Sequence, residues 1–278
     1  MIRLAVRVRR ERAELVLAEL LELAPGGVEE VDIGADVVEY AVYGAPGELP
    51  ALPDLQASAG GALVEVVTTE VADDWSQRWR EFHRPVVIGD RLTVRPPWEA
   101  PGTNSIDLVI DPGQAFGTGA HATTRLCLEM LLELPAPRDS LVDLGCGSGV
   151  LAIAAARLGY VPVLALDNDP ASVRATAENA SFNGVELDVR SFDLRSEDVP
   201  AAGTVTANLL GPLLRAWAPR LAARRVAVPA RLIVSGMLVP EADGIAEAFA
   251  AAGLIEADRR ESGEWGALLL ERSYRRAC

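Results

Sequence analysis

The chain contains no lysine: all 26 of its basic residues are arginine. That excludes every mechanism that needs a lysine, including Schiff-base formation and the lysine of a phosphate-binding loop. Histidine is nearly absent, at two residues, and the three cysteines (Cys127, Cys146 and Cys278) have no metal-ligand spacing. An odd, sparse set of thiols fits a reduced cytosolic protein rather than a disulfide scaffold, and no metal site is expected. No apolar run approaches the roughly 18 residues of a membrane span. The N-terminal MIRLAVRVRRER alternates apolar and charged residues without a signal core, so no membrane association and a cytoplasmic location are expected.

What is present is a chain of 278 residues, half of them hydrophobic, with a net charge of −14. Length and composition predict two globular domains with full cores. The acidic balance argues against a surface that coats nucleic acid and favours a basic protein or a small molecule as partner.

Ile2 to Val8 alternate like a strand, and residues 11 to 23 carry Leu15, Leu20, Leu21 and Leu23 at helical spacing before Pro25-Gly26-Gly27. Strand-like runs follow at Val28 to Ile33, Val37 to Val42 and Ala62 to Val71, with a short helix expected near Leu49 to Ala57. The order βαββ(α)β predicts a small ferredoxin-like α+β domain over residues 1–71. DDWSQRWREFH places Trp75, Trp79 and Phe82 on one helical stripe, which predicts a connector helix within residues 72–85. Val86 to Val94 reads as a hairpin about Gly89-Asp90, and Ile106 to Ile110 as a short strand.

From Ser140 short apolar strands alternate with helices, the pattern of a doubly wound α/β domain, which we place over residues 86–278. Expected strands are Leu141 to Leu144, Val161 to Leu166, Leu187 to Val189, Val205 to Ala207 and Leu232 to Ser235. Expected helices are Leu151 to Leu158, Ser172 to Phe182, Leu209 to Ala223 and Glu241 to Ala252. Leu254 to Arg260 and Trp265 to Arg272 are separated by only four residues and should form an antiparallel hairpin at the sheet edge.

The chemistry concentrates in LVDLGCGSG, residues 141 to 149: a buried strand, a glycine turn and a helix start. Gly145, Gly147 and Gly149 permit positive φ and close ligand approach at the carboxyl end of the strand, where open α/β sheets bind. Asp167 ends the next strand, where a carboxylate can accept both hydroxyls of a ribose. Both NAD and S-adenosylmethionine carry that ribose. Val150 stands where a dinucleotide fingerprint needs its third glycine, and no cation lies within residues 141 to 156 to neutralise a pyrophosphate. Asp143 would repel a pyrophosphate but could receive the ammonium of a methionine moiety. S-adenosylmethionine is therefore favoured. Asp193, after the third strand, could bond the adenine amino group, and Asn208 closes the fourth strand at the mouth of the same crevice. A cap for the following helix is the plainer role for Asn208.

LVDLGCGSG, LALDNDP and TANLLGP resemble the motifs of class I methyltransferases, which have a seven-stranded, Rossmann-like sheet. DPGQAFGTGAHATT, residues 111 to 124, is similar to the signature of the PrmA-type ribosomal protein methyltransferases, which modify the eleventh protein of the large subunit. The stretch NLLGP is one residue shorter before its proline than in many of these relatives. The resemblance implies that Thr124, Gly145, Asp167 and Asn208 contact S-adenosylmethionine or line its pocket; Asp143, Gly147 and Asp193 are expected beside them from the residue pattern itself. It further implies that Phe116, Gly117, Thr118 and His121 lie over the methionine end. It implies a small N-terminal domain that grips the substrate, and methyl transfer to lysine side chains and the N-terminal amine of that basic ribosomal protein.

Asparagine cannot serve as a strong base, so Asn208 is expected to aim the amine, with His121 as an alternative proton shuttle. No direct nucleic-acid binding is expected, and the chain is read as a monomer. The competing functions are an RNA or DNA base amino-methyltransferase and a non-catalytic S-adenosylmethionine sensor. A nicotinamide dehydrogenase is the weakest reading.

Overall fold

A computed structural model describes residues 2–13, 16, 20, 28–34, 36–44, 63–70, 83–112, 119–223 and 228–273. The chain divides into two compact units, Met1–Phe82 and His83–Cys278. The expected connector helix and the helix near Leu49 to Ala57 lie outside the described residues, as do Phe116, Gly117 and Thr118.

In the first unit, β1 (Ile2–Arg9), β2 (Glu29–Asp32), β3 (Val37–Gly44) and β4 (Leu63–Glu70) form an antiparallel sheet in the order β2-β3-β1-β4. β3 lies between β1 and β2 and runs antiparallel to both. The strand order is that of the expected ferredoxin-like sheet. Period-two alternation sends Leu4, Val6, Val8, Val38 and Tyr40 to one face, where they pack with helical Ala13, Val16 and Leu20. The other face carries Arg3, Arg7 and Glu39, the last only 4% exposed. Arg3 Nη2 and Arg7 Nε reach the two Glu39 oxygens at 2.5 and 2.7 Å. Burial pushes the Glu39 carboxyl up, and the two guanidiniums outweigh it and hold it below its usual range.

The second unit opens with β5 (Val86–Ile88), β6 (Leu92–Arg95) and β7 (Ile106–Val109), a three-stranded sheet containing the expected hairpin. The next element, α1 (Ala122–Glu133), was not anticipated from the sequence. The main body alternates β8 (Leu141–Leu144), α2 (Val150–Arg157), β9 (Val163–Asp167), α3 (Pro170–Phe182), β10 (Asp188–Ser191) and β11 (Thr204–Asn208). It continues through α4 (Gly211–Ala223), β12 (Arg231–Leu238), α5 (Ala242–Ala250), β13 (Leu254–Ser262) and β14 (Trp265–Arg272). The sheet order is β10-β9-β8-β11-β12-β14-β13; the first five strands are parallel, and the terminal hairpin inserts β14 antiparallel to β12. This is the doubly wound seven-stranded fold with its edge hairpin.

Alternation along the strands divides the core. Leu141, Val163, Ala165, Ile233 and Ala267 join a cluster with Leu126, Leu131 and Ile153 of α1 and α2. Val142, Leu144, Val205, Leu232 and Val234 face Leu214, Trp217 and Phe249 of α4 and α5. Asp143, Thr206 and Ser235 share the first face with α1 and α2.

Two asparagines one helical turn apart, Asn179 in α3 and Asn183 at its C-cap, tie the end of β7 to this body. Asn183 accepts from the Val109 amide at 2.9 Å and donates to the Val109 carbonyl at 2.7 Å. Asn179 accepts from the Asp111 amide at 2.9 Å and donates to the Ser148 carbonyl at 2.9 Å. The asparagines thus replace a neighbouring strand for alternate residues of an edge. Asn183→Ala should cost roughly 2–3 kcal/mol, because it leaves a backbone donor and acceptor without partners. Urea unfolding would measure the loss, and an unchanged midpoint would show that these bonds contribute nothing net.

Candidate functional site

The turn from β8 to α2 is built as the glycine pattern requires, with φ of +72°, +54° and +83° at Gly145, Gly147 and Gly149. The Gly145 and Cys146 amides donate to the Leu166 carbonyl at 2.8 and 3.1 Å, which fastens the turn to the end of β9. The Thr176 hydroxyl donates to the Gly147 carbonyl at 2.9 Å, so α3 supports the turn from its far side. A Cβ on Gly145 would stand 2.4 Å from Leu209 Cδ2. The missing side chain lets Leu209 close one wall of the crevice.

That crevice is lined by Gly145, Leu166, Asp167, Phe192, Asp193 and Leu209, among others. It lies at the carboxyl ends of β8 and β9, beside the point where the strand order reverses and where open α/β sheets bind ligands. Asp167 Oδ2 accepts from the Gly147 amide at 2.9 Å, and Oδ1 from the Asp169 amide at 3.0 Å. Each oxygen keeps further acceptor capacity, and the backbone bonds fix the orientation of the carboxylate in the wall. Asp193 also lines the crevice, but its carboxylate closes a local turn, accepting from the Arg195 amide at 2.9 Å and the Ser196 hydroxyl at 3.0 Å. The Arg195 amide is the main reason its carboxyl is held below the ordinary range.

Asp143 sits deeper, 1% exposed, under the glycine turn. Its Oδ1 accepts from the Thr206 hydroxyl at 2.7 Å, whereas Oδ2 accepts no hydrogen bond among the described residues. Burial pushes the carboxyl up to about 7, against the pull of the Thr206 hydroxyl and the Ala152 amide.

Asn208, half-buried at the end of β11, donates from Nδ2 to Thr124 Oγ1 at 3.3 Å. Thr124 is 1% exposed in the first turn of α1, so it belongs to a helix rather than to the far end of a loop. Asn208 does not cap α4, which begins at Gly211 instead of the expected Leu209. The Leu209 amide is drawn instead to the Ser235 carbonyl at 3.0 Å, one step beyond the strand pairing. Leu210, 70% exposed, projects beside Asn208.

His121 is the N-cap of α1. Its Nδ1 lies 2.8 Å from Thr123 Oγ1 and accepts from the Thr123 amide at 3.4 Å, and its ring meets the edge of Trp265 at 5.0 Å. This geometry gives the ring a structural task.

Thr206, Thr176, Asn179 and Gly236 went unnoticed in the sequence. Gly236 alone carried a readable signal, an isolated glycine within a strand pattern, which marks a bulge or a close backbone approach. The other three read as solvated polar positions of a strand or an amphipathic helix.

The residues fit S-adenosylmethionine. The crevice has carboxylates at Asp167 and Asp193 for an adenosine and an apolar wall, and under the glycine turn that borders it Asp143 keeps a buried carboxylate oxygen without a hydrogen bond among the described residues, suited to an ammonium. No group of histidine, cysteine or carboxylate side chains able to hold a metal ion occurs among the described residues, and no described helix is long and apolar enough to cross a membrane.

The family model described as Ribosomal protein L11 methyltransferase (PrmA) matches residues 51–273. A protein of that name from Symbiobacterium thermophilum is 41% identical over 199 residues, which cover 71% of this chain and 65% of that protein. One from Pelotomaculum thermopropionicum is 42% identical over 213 residues, 75% of this chain and 69% of its own length. The chain thus spans slightly under two thirds of the first relative and slightly over two thirds of the second. Among solved structures, a ribosomal protein L11 methylase from Lactobacillus delbrueckii subsp. bulgaricus superposes with a TM-score of 0.61 at 27% identity, over 69% of this chain and all of that one.

Proposed function

Because the chain belongs to the ribosomal protein L11 methyltransferase family, we propose that it transfers methyl groups from S-adenosylmethionine to amino groups of the large-subunit protein L11. The observation that carries the reading is the placement of Asn208: it is held by Thr124 at the end of β11, next to the strand that leads into the glycine turn.

Bound S-adenosylmethionine supplies an electrophilic methyl group on a sulfonium. The protein's share is alignment and a neutral nucleophile. A lysine with a pKa near 10.4 is only about 0.04% neutral at pH 7, a deficit of roughly 4.6 kcal/mol, against about 1 kcal/mol for an N-terminal amine. Donation from Asn208 Nδ2 to Thr124 leaves Oδ1 to accept from the incoming amine and aim its lone pair. Water takes the proton, since His121 Nδ1 is engaged in capping α1 and Asp143 is enclosed. The apolar surfaces of Leu209 and Leu210 desolvate the approach and favour the neutral amine. The small unit before Phe82 serves substrate recognition, and the net charge of −14 suits a basic ribosomal protein by complementary attraction.

A base amino-methyltransferase would need an aromatic face after Asn208 to stack a flipped base. Leu209 is packed on Gly145, and neither Leu210 nor Gly211 is aromatic. The deciding experiment is intact-mass analysis of ribosomal proteins and RNA after incubation with the protein and S-adenosylmethionine. Added methyl mass on L11 is the expected result. Methyl groups found only in RNA would overturn the reading, and binding without turnover on any component would leave a sensor.

A further inference from the structure

On the cofactor reading above, Asp167, at the end of β9, would hold the adenosine, and Asn208, at the end of β11, would face the reacting amine. β8 lies between those strands, so Asp143 of β8 would serve the part of the ligand between them. Asp143 is 1% exposed and Thr206 is completely buried. One carboxylate oxygen takes the Thr206 hydroxyl at 2.7 Å, and the other accepts no hydrogen bond among the described residues. A buried acceptor of this kind costs free energy until a donor arrives.

We infer that Thr206 is a positioning residue for cofactor capture: it holds Asp143 with one oxygen open, the ligand's ammonium takes that oxygen, and a proton leaves Asp143 as the ligand binds. The step balances. A neutral carboxyl and an ammonium become a carboxylate–ammonium pair, and one proton passes to solvent.

Among the described residues, the titratable groups that face Asp143 are Cys127 of α1, Cys146 of the turn and Asp167 of β9. Burial pushes both thiols well above their ordinary value, Cys146 up to about 12, so they stay neutral, and Asp167 adds only repulsion. The remaining neighbours are the Thr206 hydroxyl and the Ala152 amide, with Ser235 bonded to Cys127 behind them. None is a cation. With its carboxyl raised to about 7, Asp143 contributes stability to the ligand-free fold at low pH that is lost as pH rises through 7. An ammonium on Oδ2 reverses that preference.

The test is calorimetry with S-adenosylhomocysteine, which keeps the ammonium and does not react, in buffers of different ionisation enthalpy. Release approaching one proton per ligand is expected near about pH 6 and almost none near about pH 8, with affinity falling up to about tenfold per pH unit below 7. Thr206→Val should move this break to higher pH and weaken binding several-fold at neutral pH, with recovery at alkaline pH, and Thr206→Ser should restore the original profile. 5′-Methylthioadenosine, which lacks the ammonium, should bind without proton release. No release with S-adenosylhomocysteine at low pH, or equal release with both ligands, would overturn the inference while leaving the cofactor cleft intact. Failure of both ligands to bind at any pH would overturn the cofactor reading and the inference together.

Discussion

Asn208→Ala should lower kcat for L11 methylation about 100-fold, close to 2.7 kcal/mol in the barrier, while the Kd for S-adenosylhomocysteine changes by less than about threefold. The asymmetry follows from where Asn208 sits. Asp167, Gly145 and Leu209 form the walls of the crevice without Asn208, so truncation leaves that surface in place. What it removes is an acceptor held in one orientation by the 3.3 Å contact with Thr124. An amine that is free to rotate seldom points its lone pair along the methyl–sulfur axis. Asn208→Asp keeps an acceptor and can still bond the Thr124 hydroxyl, so it should retain more activity than alanine. Single-turnover methylation alongside calorimetry separates the two effects. If the alanine protein keeps its wild-type turnover, Asn208 does not position the amine.

The parallel sheet could be read from the sequence because its strands are short apolar runs between glycines and helical stretches. The terminal hairpin was legible from its short connection, expected at four residues and formed by Gly263 and Glu264 alone. β10 was misplaced by one or two residues because DVRS is a half-exposed edge with no apolar pattern to fix it. α1 was missed altogether. Arg125, Glu129 and Glu133, four residues apart, are its more exposed positions and carried a helical signal, but the helix follows directly on a glycine-rich stretch that reads as a loop. Sequence patterns put Asp143, Gly145, Asp167 and Asn208 at or next to the carboxyl ends of strands, which is where β8, β9 and β11 carry them. They could not reveal that Thr206 backs Asp143 or that Thr124 holds Asn208, since both contacts join residues far apart in the chain, 63 and 84 positions respectively. For the same reason His121 looked like a loop residue facing the amine. Its role as the cap of α1 depends on the helix that was missed.

Gly236→Ala should damage the second unit severely for so small a substitution, costing about 3 kcal/mol or more and lowering turnover at the same time. Gly236 occupies the irregularity in β12 between Ser235 and Met237, with φ of +85°. A left-handed conformation costs an L-residue roughly 1–2 kcal/mol by itself. The added Cβ would also lie 2.4 Å from the Leu209 carbonyl oxygen, 2.7 Å from its carbon and 3.0 Å from its nitrogen. These are backbone atoms, which have no rotamer by which to withdraw. The chain just beyond Asn208 must therefore move away from β12, breaking the Leu209 amide bond to Ser235 and carrying Asn208 off Thr124. Gly263→Ala is the matched control: it has φ of +61° in the turn between β13 and β14, but nothing lies within 4 Å of its Cβ. That variant should lose only the strain, about 1–2 kcal/mol, and keep its turnover. Denaturant unfolding and methylation assays on the pair isolate the contact from the backbone conformation. Equal losses in both proteins would mean that the approach of Leu209 to Gly236 holds neither the fold nor Asn208.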